Sequence, residues 1–264
     1  MIQKVLSILL TLITAFSIGC SSQNNEDITK NENDENVVTV TNSPTPTPIP
    51  PANPPNNDPP TNTQASYKTK TNIRYLALGD SYTKGESVIT EKSFPRQLKE
   101  RIEIRTDKKV TVEIIAQTGW RTDDLIEGIE NRGVDDNYDL VSLLIGVNNQ
   151  FQGANFQQYR TEFNQLLDTA IHLAQDNKKN VFVVSIPDYA FTPLGGGNKQ
   201  ISEEIDQYNN YARRETIGRN IPFIEITEIT RRGLKEPNLV ANDGLHPSAD
   251  TYAEFVREIY EVLF

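Results

Sequence analysis

The sequence predicts an α/β fold, a doubly wound parallel sheet with helices on both faces. Three observations carry this. Short apolar runs alternate with helical patterns across residues 67–264. The runs that begin at Leu140 and Val181 are almost continuously apolar, as strands buried on both faces are. The alternation keeps the spacing of strand–helix–strand units throughout.

Taken in order, the first strand is Ile73 to Leu78 and the second Val110 to Ala116. Leu140 to Ile145, Val181 to Ile186 and Pro222 to Ile226 complete the set. Helical patterns fill the gaps at Ser93 to Arg105, Thr122 to Glu130, Asn155 to Gln175 and Gln200 to Gly218. A last helix covers Ser248 to Leu263. Right-handed crossovers bring the C-terminal ends of the strands to one edge, and open α/β sheets bind their ligands there. The residues just after each strand are therefore the place to look for function.

The chain has 264 residues and a formal net charge of -10, which argues against nucleic acid as a partner because phosphate binding needs a basic face. Its two histidines, His172 and His246, and its one cysteine, Cys20, allow no intramolecular disulfide and make no metal-binding cluster. His172 falls inside a helical pattern away from every candidate segment and reads as structural or surface.

Residues 1–20 read as a targeting segment: Lys4, then a mostly apolar run from Val5 to Ile18, too short to span a membrane. Ser17-Ile18-Gly19-Cys20 resembles the lipobox of bacterial lipoproteins, which implies cleavage before Cys20, lipidation of its thiol and a place in the cell envelope. An ordinary signal peptide with an incidental cysteine is the plainer alternative. Residues 21–66 read as a disordered tether, too poor in large apolar side chains to offset the entropy of ordering. Nine of the fifteen prolines lie between Pro44 and Pro60, which favours an extended spacer over a fold. A Pro-rich ligand for another protein is the lesser alternative.

Four segments at the expected edge carry chemistry. After the first strand comes Gly79-Asp80-Ser81, where Ser81 could be a nucleophile or simply a helix cap. After the second comes Gln117-Thr118-Gly119-Trp120, where a bare glycine N–H can approach a substrate oxygen or merely make a turn. After the third comes Gly146-Val147-Asn148-Asn149, whose amides can donate to a developing oxyanion or close a polar turn. Before the last helix comes Asp243-Gly244-Leu245-His246-Pro247. His246 can take a proton near neutral pH, and a carboxylate three residues earlier can fold back to hold its other nitrogen. Pro247 is placed to start the helix, since it needs no N–H there.

Together and in this order, these segments resemble the SGNH hydrolase superfamily, the GDSL-type esterases and lipases, over most of residues 73–260. The resemblance implies a flavodoxin-like three-layer α/β/α sandwich with a five-stranded parallel sheet. It implies Ser81 as nucleophile, His246 as base and Asp243 as the acid that orients it. The oxyanion hole would be Ser81, Gly119 and Asn148. Tyr82, Trp120, Asn149 and Tyr189 become expected lining residues of the substrate cleft. Asn149 departs from the family's usual aspartate. Acyl transfer to water follows, with no cofactor, on a small-molecule or glycan ester. The protein is expected to be a monomer, held at a membrane only through Cys20. The absence of Gly-x-Ser-x-Gly argues against the α/β-hydrolase class. The glycine run Leu194-Gly195-Gly196-Gly197-Asn198 predicts a mobile loop near the site. The rival readings are a carbohydrate O-deacetylase on the same fold and a non-catalytic surface binding module.

Overall fold

The computed structural model describes residues 64–264, so Cys20, the targeting segment and nearly all of the tether lie outside the described residues. The described chain is already packed just before Tyr67. Ala65 is buried, and the Ser66 amide donates to Asn180 Oδ1 at 2.7 Å, opening the short helix α1 (Ser66–Thr69).

Five strands form one all-parallel sheet: β1 (Asn72–Gly79), β2 (Lys109–Ala116), β3 (Leu140–Leu144), β4 (Val181–Val184) and β5 (Phe223–Ile224), in the order β2-β1-β3-β4-β5. This is the flavodoxin-like order, in which the chain reverses direction across the sheet between β1 and β3. The long helices are α3 (Phe94–Arg105), α4 (Thr122–Arg132), α6 (Phe156–Leu173), α7 (Lys199–Gly218) and α9 (Ala249–Leu263). Single turns at α2 (Ser81–Lys84), α5 (Val147–Phe151) and α8 (Thr227–Thr230) follow β1, β3 and β5. α3 packs against α9, while α6 packs against both α4 and α7, giving the layers on the two faces of the sheet. Among the described residues no helix is long and apolar enough to cross a membrane.

β3 and β4 are buried along their whole length, as their unbroken apolar runs predict. The core fills with large side chains, Phe94, Phe163, Phe182 and Phe255 among them. Tyr75 is fully buried on β1, and its hydroxyl is satisfied by Ser142 Oγ on β3 at 2.8 Å.

β4 and β5 are shorter than the apolar runs that predict them. Pro222 has no N–H to give the ladder, and the Ile226 amide turns to Ser185 Oγ at 2.8 Å. On the neighbouring strand the Ile186 amide turns to Asn209 Oδ1 at 2.8 Å. Side chains thus take over the backbone groups where the sheet ends. α9 starts at Ala249, one residue later than the expected Ser248, and Pro247 does not begin it. Ser248 is the N-cap, accepting from the Thr251 amide, and Pro247 stands before it in an extended bridge with Val240.

Candidate active site

The switch between β1 and β3 brings the ends of these adjacent strands, and the segments after them, to one crevice. β1 ends at Gly79, where any side chain would run into Thr83 Oγ1 and the Leu144 carbonyl of β3. Asp80 then caps α2, its Oδ1 accepting the Tyr82 amide at 2.9 Å. Ser81 is therefore the first residue of a helical turn, with its hydroxyl at the sheet edge and its own N–H without an intrahelical partner.

The hairpin before α9 presents the histidine. Ala241 donates to the His246 carbonyl at 2.7 Å, closing the loop. Asp243 Oδ1 accepts the Leu245 and His246 amides at 2.9 and 3.0 Å, an Asx turn that fixes the carboxylate beside the ring. Asp243 Oδ2 lies 2.6 Å from His246 Nδ1, and His246 Nε2 lies 3.0 Å from Ser81 Oγ. The Nδ1 contact to a carboxylate sets the tautomer, with the proton on Nδ1 and the lone pair of Nε2 facing the serine. Tyr82 covers the imidazole, ring centroids 5.1 Å apart. Burial alone would raise the Asp243 carboxyl. The hydrogen bonds from Ser87, His246 and the two amides outweigh it and hold that carboxyl well below the usual carboxylate range.

A cavity of about 210 Å³ opens over Ser81. Gly119 and Asn148 line it together with His246 and the side chains of Tyr82, Val147, Phe151, Tyr189 and Leu245. Asn148 Nδ2 donates to the Trp120 carbonyl at 3.0 Å and reaches Asp80 Oδ2 at 3.5 Å, a long and weak contact. Gln152 Nε2 donates to the Gly119 carbonyl at 2.8 Å and holds that turn. Among the described residues the Gly119 N–H has no acceptor.

Asp80 is fully buried, and desolvation pushes its carboxyl up to about 7 against the lowering effect of its hydrogen bonds. Sequence reasoning quoted this residue but gave it no part in the site. Its signal is an acid placed between a strand-end glycine and the serine. Ser87, Phe151 and Gln152 were missed altogether, because their neighbours here come from distant segments.

Two expected lining residues stand elsewhere. Asn149 is fully buried and does not reach the cavity. Its Oδ1 accepts the Thr122 amide at 3.1 Å and its Nδ2 donates to Thr122 Oγ1 at 2.7 Å, so it ties α5 to the start of α4. The Trp120 ring rests on Gly128 of α4, and only its carbonyl serves the site. Tyr82 and Tyr189 do line the cavity. His172 is exposed on α6, 3.6 Å from Asp176.

The glycine run is a tied turn. Leu194 donates to the Gly244 carbonyl at 3.0 Å, Gly196 to Thr192 at 2.9 Å and Gly197 to Ala190 at 2.8 Å. Gly195 is required because a side chain there would strike the Tyr189 carbonyl. The glycines serve close approach, and the turn braces the loop that carries Asp243 and His246.

Comparison with curated proteins finds no match. Solved structures share the fold at low identity. One is a member of the lipolytic protein G-D-S-L family from Veillonella parvula, 19% identical, covering 72% of this chain and 97% of its own, with a TM-score of 0.57. Another is the lipase Lip_vut3 from a goat rumen metagenome, at 15%, 72%, 96% and 0.61 for the same measures. A third is the acetyl xylan esterase AlAXEase, at 17%, 73%, 100% and 0.59. The family model for the GDSL-like lipase/acylhydrolases matches residues 77–254, from within β1 to within α9. With the fold and this match in agreement, the chain belongs to the GDSL-like lipase/acylhydrolase family, a family of hydrolases.

Proposed function

We propose that this protein is a serine ester hydrolase that removes small or medium acyl groups. The observation that carries the reading is the relay Asp243–His246–Ser81, with contacts of 2.6 and 3.0 Å, opening onto a cavity that also presents Gly119 and Asn148. His246 Nε2 takes the Ser81 proton as Oγ attacks the ester carbonyl. The oxyanion is held by the N–H groups of Ser81 and Gly119 and by the Asn148 amide, which gives up its weak contact with Asp80. His246 then delivers its proton to the leaving alcohol. Water attacks the acyl-enzyme with His246 again as base, and the acid leaves with Ser81 restored. Asp243 keeps its charge throughout and stabilises the imidazolium.

The apolar lining of Val147, Phe151, Tyr189 and Leu245 suits an acyl chain, and the cavity volume of about 210 Å³ limits its length. Hydrolysis of p-nitrophenyl acetate, butyrate and palmitate by residues 64–264 tests this. Turnover should favour the short esters, and a fluorophosphonate should label Ser81. A Ser81→Ala control guards against a contaminating esterase. Failure of both turnover and labelling would sink the reading.

An O-acetyl esterase acting on carbohydrate is the second reading. It uses the same residues, and the short cavity favours it. Release of acetate from acetylated xylan, faster than from p-nitrophenyl acetate, would select it. The envelope location rests on Cys20 and the tether. Radiolabelled palmitate should enter the full chain in a bacterial host and be lost with Cys20→Ala.

A further inference from the structure

Between α2 and α3, Ser87 holds a left-handed backbone, φ 65°, which serine rarely adopts. It sits there with its hydroxyl donating to Asp243 Oδ2 at 2.5 Å, from 156 positions away. That is the same oxygen that meets His246 Nδ1 at 2.6 Å. The other oxygen, Oδ1, takes only amides of its own loop. Ser87 is thus the donor that reaches Asp243 from a separate segment. The residues before it grip the second oxyanion segment. Glu86 Oε2 accepts from the Thr118 hydroxyl and from Lys84 Nζ at 3.0 Å, and Lys84 Nζ also reaches Thr118 Oγ1 at 3.1 Å. Thr118 adjoins Gly119.

We propose that Ser87 is a positioning residue of the relay, and that residues 84–87 brace the Gly119 turn and the Asp243 loop against the nucleophile turn. The proposal rests on the reading of Ser81 and His246 as the reacting pair. Ser87 lies outside the cavity lining and acts through Asp243. Its short, charge-assisted hydrogen bond takes one lone pair of Oδ2. The carboxylate then cannot rotate away from Nδ1, and the imidazole keeps its aim at Ser81. A turn that needed only a positive φ would be served better by glycine. The serine is explained by what its hydroxyl reaches.

The test compares Ser87→Ala, which removes the hydroxyl, with Ser87→Gly, which also relieves the backbone. Both should lower kcat on p-nitrophenyl acetate by about tenfold or more, the usual weight of a hydrogen bond to a charged group, with KM within about twofold. The downfield proton resonance of His246 Nδ1–H should move and exchange faster with water in both. Recovery of kcat in Ser87→Gly would assign the effect to backbone strain and overturn the proposal. So would an unchanged kcat and Nδ1 resonance in both variants. If the wild-type protein turns over no ester, the hydrolase reading fails, and the Nδ1 resonance still decides whether Ser87 holds Asp243.

Discussion

Asn148 Nδ2 lies 3.5 Å from Asp80 Oδ2, across 68 positions of sequence, joining the residue before Ser81 to the turn after β3. The acid is fully buried and its carboxyl is pushed up to about 7. The turn that carries Ser81 and the turn that carries Asn148 are therefore set against each other by one titrating group.

Asp80→Asn reports on that group. The folded protein keeps a proton on Asp80 that the unfolded chain loses near 3.8, so its contribution to stability is full below 3.8 and is lost as pH rises to about 7. An asparagine does not titrate. The melting temperature of the variant relative to wild type should therefore improve between pH 5 and pH 8. Its kcat should fall by about tenfold, because an amide N–H now faces the Asn148 amide or the Tyr82 N–H. A constant difference in melting temperature across that range would count against a raised Asp80.

Asp243→Asn should leave the fold intact and lower kcat by about 10³- to 10⁴-fold, since the amide would favour the wrong imidazole tautomer. The wild-type carboxyl is held below its ordinary 3.8, so it contributes stability at neutral pH that is lost as pH falls below 3.8. Acid unfolding followed by circular dichroism should be less steep in the variant.

Asn148→Ala should lower kcat by about 10²- to 10³-fold with little change in KM, the pattern of an interaction strengthened in the transition state. A rise in KM at constant kcat would make Asn148 a substrate-binding residue instead.

Asn149→Asp would restore the family's usual residue, yet it should destabilise this chain by about 1–3 kcal/mol. Thr122 Oγ1 accepts from Asn149 Nδ2 and donates to Glu162 Oε2 at 2.5 Å. With an aspartate the single hydroxyl proton would face two carboxylates. Glu162→Gln can donate to Thr122 and free that proton. In a double-mutant cycle by urea denaturation, Glu162→Gln should recover most of the loss.

Gly79→Ala should cost about 1–3 kcal/mol or more, because the methyl meets Thr83 and the Leu144 carbonyl and neither the β1–β3 pairing nor α2 can give. Gly133→Ala, with open space around the added carbon, bears only the backbone cost of a φ of 59°, about 1–2 kcal/mol. Calorimetry should rank the two in that order.

The long elements were legible because each is a local periodic pattern. The apolar runs at Leu140 and Val181 and the helical faces of α6 and α7 need no distant partner to be recognised. The last residues of β4 and β5 were not, because Ser185 and Asn209 end the ladder through contacts made only in the fold. The candidate site divides the same way. Residue type and position offered Ser81, Asp243 and His246 as candidates, the resemblance of the four segments to a known family singled them out, and the structure brings these three side chains together. Asn149 and Trp120 were misplaced, since which way a side chain points after a strand depends on the helix packed behind it.

By itself the sequence determined the sheet, the edge that holds the site and the kinds of side chain brought there, because these follow from the period of burial and the handedness of the crossovers. Only the tertiary structure decided which groups support them. It set Asp80 beneath Asn148, Ser87 against Asp243 and the glycine run against the Asp243–His246 loop. Hydrogen bonds between segments distant in the sequence leave no periodic trace, and a buried charge acquires its altered proton affinity only when the chain around it closes.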